Sequence, residues 1–134
     1  MGKIEVEIPT YCQRFFGGKA KNVYQINITT ASNNWSVERR YNDFCCMNTV
    51  ISKTHGNIPK LPKKFLFALK PEQLEQRRLG LENYLKAICE RIDVHSDTEF
   101  TAFMRIEENS PHLIANKLVI QDEISHPKYG YRGF

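Results

Sequence analysis

The chain has 134 residues and a mass of 15.6 kDa, with 41% hydrophobic and 25% charged residues, enough for one compact domain with a core and too short for two of ordinary size. Net charge is +4 and the pI is near 8.9. No run approaches the ~18 apolar residues of a membrane span, residues 1–5 lack a signal-peptide core, and Val6 stands where a myristoylation signal carries Ser or Thr, so none of these is expected.

In chain order, residues 4–8 alternate charged and aliphatic side chains and predict a short strand ended by Pro9. Gly17-Gly18 punctuates a polar stretch, after which Tyr24, Ile26 and Ile28 alternate with Gln25 and Asn27 as a second strand. Ser32-Asn33-Asn34 reads as a turn, and Trp35 and Val37 alternate with Ser36 and Glu38 as a third strand. The period then changes. Tyr41, Phe44, Met47 (or Asn48) and Ile51 recur at helical spacing, with Asn42 as candidate cap and Gly56 as terminator.

A proline-marked, Lys-rich loop follows, Ile58-Pro59-Lys60-Leu61-Pro62-Lys63-Lys64, and then the apolar run Phe65-Leu66-Phe67-Ala68-Leu69, closed by Lys70-Pro71. From Glu72 the stripe Leu74, Leu81, Leu85, Ile88 and Ile92 predicts a helix of about five turns. Gly80 inside it costs about 1 kcal/mol of helix propensity relative to Ala, which suits a place of close packing. Ser96-Asp97-Thr98-Glu99 fits a capping box opening a short helix with Phe100, Phe103 and Met104 inward. Leu113-Ile114 and Leu118-Val119-Ile120 form a candidate docking segment before a Pro, Gly and Tyr-rich end. Three strands followed by helices predict an α+β fold: a three-stranded antiparallel sheet packed against a helical subdomain with a proline-rich loop.

Charge is uneven along this order. Residues 1–106 carry 16 basic and 11 acidic side chains, whereas residues 107–134 carry 3 and 4. Residues 53–78 hold seven basic side chains against Glu72 and Glu75, a concentration that favours an anionic partner. Arg39-Arg40-Tyr41 sits where the sheet hands over to the first helix, and the strand register puts Arg39 and Arg40 on opposite faces. An arginine offers a fixed fork to phosphate, and a neighbouring tyrosine ring can pack on a sugar or inositol face. Prolines stiffen the segment that presents Lys60, Lys63 and Lys64. Taken alone, these residues also fit an ordinary strand end, and Arg77-Arg78 fits two solvated helix arginines.

Together the three segments resemble the phox-homology (PX) family, the phosphoinositide-binding module of sorting nexins and related endosomal proteins. The likeness covers residues 5–106. It rests on Trp35-Ser36-Val37-Glu38-Arg39-Arg40-Tyr41-Asn42-Asp43-Phe44, on Pro59-Lys60-Leu61-Pro62-Lys63-Lys64 and on Arg77-Arg78-Leu79-Gly80-Leu81-Glu82-Asn83-Tyr84-Leu85. The resemblance implies that Arg40 contacts the 3-phosphate of phosphatidylinositol 3-phosphate, Tyr41 supports the inositol ring, Lys64 meets the 1-phosphate and Arg77 binds the 4- and 5-hydroxyls, while Arg39 is structural. It also implies bilayer insertion of the loop before the long helix, through Phe67, Ala68 and Leu69, with Lys63 and Lys70 meeting anionic headgroups. For Phe65 and Leu66 core packing is the equal alternative.

Other classes fit less well. His55, His95, His112 and His126 are scattered, no nucleophile stands beside a base, and Cys12, Cys45, Cys46 and Cys89 form no metal-ligand spacing, so neither enzyme nor metal or other cofactor is expected, and the thiols read as reduced. The aromatics follow core periods rather than stacking platforms, so no nucleic acid is expected. The alternative function is a protein-interaction adaptor, since the two prolines and terminal cation also suit an SH3 groove. The expectation is a cytoplasmic, non-catalytic module spanning residues 1–106, peripheral to early endosomal membranes, with residues 107–134 as a tail or docking extension.

Overall fold

The computed structural model describes residues 2–65 and 69–111. Three strands, β1 (Glu5–Phe16), β2 (Lys19–Thr29) and β3 (Asn34–Arg40), form an antiparallel sheet in the order β1-β2-β3. β1 does not stop at Pro9. Its register slips between Glu7 and Thr10, which absorbs the proline's missing N–H on an edge strand. Helix side chains serve the neighbouring backbone: Ile8 N–H donates to Glu82 Oε2 (2.7 Å) and Arg78 Nη1 donates to the Ile8 carbonyl (2.6 Å). Beyond that point Tyr11, Cys12, Phe15 and Phe16 put apolar groups on both faces, so no alternation marks the strand in the sequence. Gly17 (φ +58°) and Gly18 (φ +80°) join Phe16 to Lys19 in a two-residue turn with two positive φ angles, the kind that matches strand twist.

The helices are α1 (Tyr41–His55), α2 (Pro71–Cys89), α3 (Thr98–Met104) and α4 (Ile106–Asn109), with a 3-10 turn at Ile92–Val94. Asp43, not Asn42, closes the start of α1: its carboxylate accepts the Arg40 backbone N–H at 2.7 Å. Asp97, rather than Ser96, caps α3 by accepting from Glu99 N–H at 2.8 Å. One sheet face carries Val6, Ile8, Tyr24, Ile26, Ile28 and Val37 onto Phe44, Met47, Ile51, Leu81, Leu85 and Ile88, and Phe100, Phe103 and Met104 are buried as expected. Phe44 and Phe103 meet edge to face at 4.9 Å, and the Trp35 indole N–H donates to the Met104 carbonyl at 2.8 Å.

Ile92 departs from the expected stripe and is 68% exposed. α2 has ended at Cys89, and Arg91 turns the chain by donating to the Gly56 and Asn57 carbonyls, so Val94 takes the inner place. Leu74 is only half-buried. The packed chain continues through α4 to Ser110, whose buried hydroxyl bonds the Thr30 hydroxyl at 3.0 Å. The candidate docking segment at Leu113-Ile114 and Leu118-Val119-Ile120 lies outside the described residues.

Candidate functional site

Arg39 and Arg40 separate as the strand register requires. Arg39 is 1% exposed, donates to the Phe103 carbonyl through Nε (3.0 Å) and to the Glu38 carbonyl through Nη1 (2.7 Å), and lies over the Phe103 ring. It ties β3 to α3. Arg40 is half-buried at the head of α1, and its guanidinium lies 4.8 Å from the centre of the Phe16 ring at the hairpin tip.

Tyr41 follows at the first position of α1. Its hydroxyl donates to the Pro62 carbonyl, and the Arg77 guanidinium carbon stands 3.9 Å from its ring centre. Arg77 Nη2 also donates to the Lys63 carbonyl at 3.1 Å, and the same guanidinium lies 5.6 Å from the Phe65 ring. Arg77 Nε is enclosed and has no hydrogen-bond partner among the described residues. The Lys64 side chain is exposed. It is near enough to Cys45 to act on that thiol, which burial pushes up while the Tyr41 hydroxyl, the Lys64 ammonium and Arg77 pull it down. Tyr41, Lys64 and Arg77, from three separate segments, therefore lie around the Cys45 thiol, while the Arg40 side chain, from the residue before Tyr41, lies against Phe16.

The remaining expected contacts divide. Lys63 contributes its carbonyl to Arg77 while its side chain is exposed. Lys70 is exposed at the N-cap of α2, its backbone N–H donating to Gln73 Oε1 (2.9 Å), and Leu69 beside it is half-buried. Phe65 is 39% exposed. Phe67 and Ala68, like Leu66, lie outside the described residues.

Several residues at the site were not singled out by sequence reasoning. Tyr24 is 1% exposed on the inner sheet face; burial raises its phenol, and the nearby Arg77 guanidinium lowers it. Its hydroxyl and the Asn22 amide oxygen are enclosed without a hydrogen-bond partner among the described residues. Phe15 is 76% exposed and shares the face of Tyr11 and Tyr24 across the hairpin pairing. Two adjacent aromatics before Gly17-Gly18 were the signal available for the tip.

Pro62 rests on α2 itself: a Cβ on Gly80 would lie 2.7 Å from Pro62 Cγ. The close packing expected of this glycine is therefore against the proline segment. With Leu61 and Ile58 packed against the core, little of that segment is left as a free polyproline face. Among the described residues no group of three or more His, Cys, Asp and Glu could hold a metal ion, and no helix is long and apolar enough to cross a membrane.

Comparison with known proteins bears on the family and the fold. Residues 28–107 match the PX domain family. The chain is 28% identical over 121 residues to the vacuolar protein sorting-associated protein vps5 of Schizosaccharomyces pombe, covering 84% of this chain and 21% of that protein. It is 34% identical over 82 residues to sorting nexin-17 of Danio rerio, covering 60% of this chain and 17% of the relative. The crystal structure of a designed CISK-PX domain superposes with a TM-score of 0.68 at 30% identity, covering 74% of this chain and 96% of that one. The chain spans only 10% to 25% of the length of the curated relatives it matches.

Proposed function

The chain belongs to the PX-domain family, and from that premise we propose that it is a non-catalytic module that recruits its protein to membranes bearing phosphatidylinositol 3-phosphate, chiefly early endosomes, in trafficking or sorting. The observation that carries the reading is the Arg77 guanidinium set over the Tyr41 ring and tied to the Lys63 carbonyl next to Lys64, with Arg40 directly before Tyr41 at the head of α1.

In this reading Arg40 pairs with the 3-phosphate and Lys64 with the 1-phosphate, each by charge-assisted hydrogen bonds. Tyr41 supports the inositol ring. Arg77, already fixed by Tyr41 and the Lys63 carbonyl, directs its remaining donors to the 4- and 5-hydroxyls, where an added phosphate would be crowded. Phe67, Ala68 and Leu69 enter the bilayer beside Lys63 and Lys70, and Phe15 on the hairpin tip supplies a second apolar contact. Each lysine close to anionic lipid adds about 1 kcal/mol. Residues 1–106 hold the whole lipid site; of residues 107–134, those up to Ser110 still pack on the fold, and the rest serves as a tail or docking extension. The alternative, an adaptor whose Pro59-Lys60-Leu61-Pro62-Lys63-Lys64 segment enters an SH3 groove, requires Pro62 to leave α2 and its carbonyl to leave Tyr41, so it is not preferred.

Co-sedimentation with vesicles carrying each phosphoinositide, wild type against Arg40→Ala, tests the reading. Binding centred on the 3-monophosphate and lost in the variant is the expected result. Equal binding to every anionic vesicle, untouched by the substitution, would reduce it to charge attraction.

A further inference from the structure

We propose that Gly80 is a positioning residue for the headgroup site, acting through Pro62; this rests on the phosphoinositide reading and deepens it. Gly80 sits within α2 and has no positive φ to adopt, so its backbone has no need of glycine and the helix forgoes propensity there. What the missing side chain gives is room. A Cβ would lie 2.7 Å from Pro62 Cγ, about 1 Å inside ordinary carbon–carbon contact. The proline ring is closed onto its own backbone and cannot swing aside as the end of a flexible chain does. The segment itself has to move.

That segment is where the site is joined together. The Pro62 carbonyl receives the Tyr41 hydroxyl, the next carbonyl, of Lys63, receives Arg77 Nη2 at 3.1 Å, and Lys64 comes after it. Arg77 lies one helical turn before Gly80 on α2. Lifting Pro62 from α2 therefore draws the Lys63 acceptor from Arg77 and the Pro62 acceptor from Tyr41, and shifts Lys64 relative to both. A binding constellation loosened by about 1 Å loses affinity although every ligand-facing side chain is still present.

The test uses the full chain as wild type, Gly80→Ala and Gly80→Ala/Pro62→Ala, with calorimetric titration of water-soluble short-chain phosphatidylinositol 3-phosphate and thermal unfolding of each protein. Alanine at 80 improves helix propensity, and alanine at 62 lacks the Cγ that clashes while keeping its carbonyl. Expected is about tenfold weaker binding for Gly80→Ala with no fall in Tm, and recovery of most of that loss in the double variant. A purely structural glycine would lower Tm and show no such rescue. Unchanged affinity in Gly80→Ala, or a loss that the double variant does not recover, overturns the proposal. Should Gly80→Ala unfold, the glycine is structural and the proposal is overturned, whatever the double variant binds. A wild type that binds no short-chain lipid overturns the phosphoinositide reading and this inference with it, whereas a binding wild type beside an unaffected Gly80→Ala overturns this inference alone.

Discussion

Arg77 is held by a ring, a carbonyl and a nearby phenol, and each asks something that only a guanidinium supplies. Its plane lies 3.9 Å from the Tyr41 ring centre while Nη2 donates edge-on to the Lys63 carbonyl. Lysine keeps the charge but has neither the flat face nor the fork. Arg77→Lys should therefore weaken short-chain phosphatidylinositol 3-phosphate binding by about tenfold, roughly 1.4 kcal/mol, in calorimetric titration. Asp43 shows a different balance. Burial raises its carboxyl, outweighing the downward pull of the Arg40 N–H and of the Arg39 and Arg40 cations. A raised folded-state value means that ionisation is disfavoured in the fold: the cost is full above the folded pKa and vanishes below the unfolded one. Asp43→Asn retains an oxygen for the Arg40 N–H without a charge to desolvate. Its Tm advantage over wild type should be greatest near about pH 7 and shrink toward about pH 3. An advantage that grew toward acid would show that attraction to the arginines outweighs burial.

At the scale of elements, the β1–β2 hairpin separates two tasks between adjacent aromatics. Phe16 lies under Arg40, whereas Phe15 is 76% exposed. Phe15→Ser should lower partition onto phosphatidylinositol 3-phosphate vesicles by about tenfold while leaving short-chain lipid affinity unchanged, because only the apolar transfer to the bilayer is lost. Phe16→Ala should weaken both, since it removes the surface on which Arg40 rests. Nothing in residues 10–16 announces this hairpin by period, because both faces of β1 mix apolar with polar side chains beyond the slip at Pro9. The helices were more legible. Tyr41, Phe44, Met47 and Ile51, and Leu81, Leu85 and Ile88, lie on one side of helices that touch a single core, and periodicity records that directly. Ile92 was misplaced because periodicity cannot see Arg91 folding back onto Gly56 and Asn57. Arg40, Tyr41, Lys64 and Arg77 were singled out through family motifs, while Tyr24 and Cys45 come near Arg77 only by virtue of tertiary packing.

For the molecule as a whole, the basic excess lies in the packed part of the chain, with 16 basic and 11 acidic side chains in residues 1–106. Long-range attraction to a membrane is screened within about 10 Å at 0.1 M salt, whereas an enclosed headgroup contact is screened much less. Raising salt from about 0.1 M to about 0.5 M should thus weaken binding to mixed anionic vesicles several-fold more than binding of the short-chain lipid. Equal losses in the two assays would place the electrostatics in the pocket alone. A membrane-recruited protein also gathers at high surface density, and sheet edges are where crowded chains find each other. On β1 both polar groups of the Ile8 backbone are already taken by Glu82 and Arg78, and Pro9 has no N–H to offer. Two copies pressed side by side on a vesicle accordingly find no strand to zip onto along that stretch, and crowding by itself gives them no route there to a shared sheet.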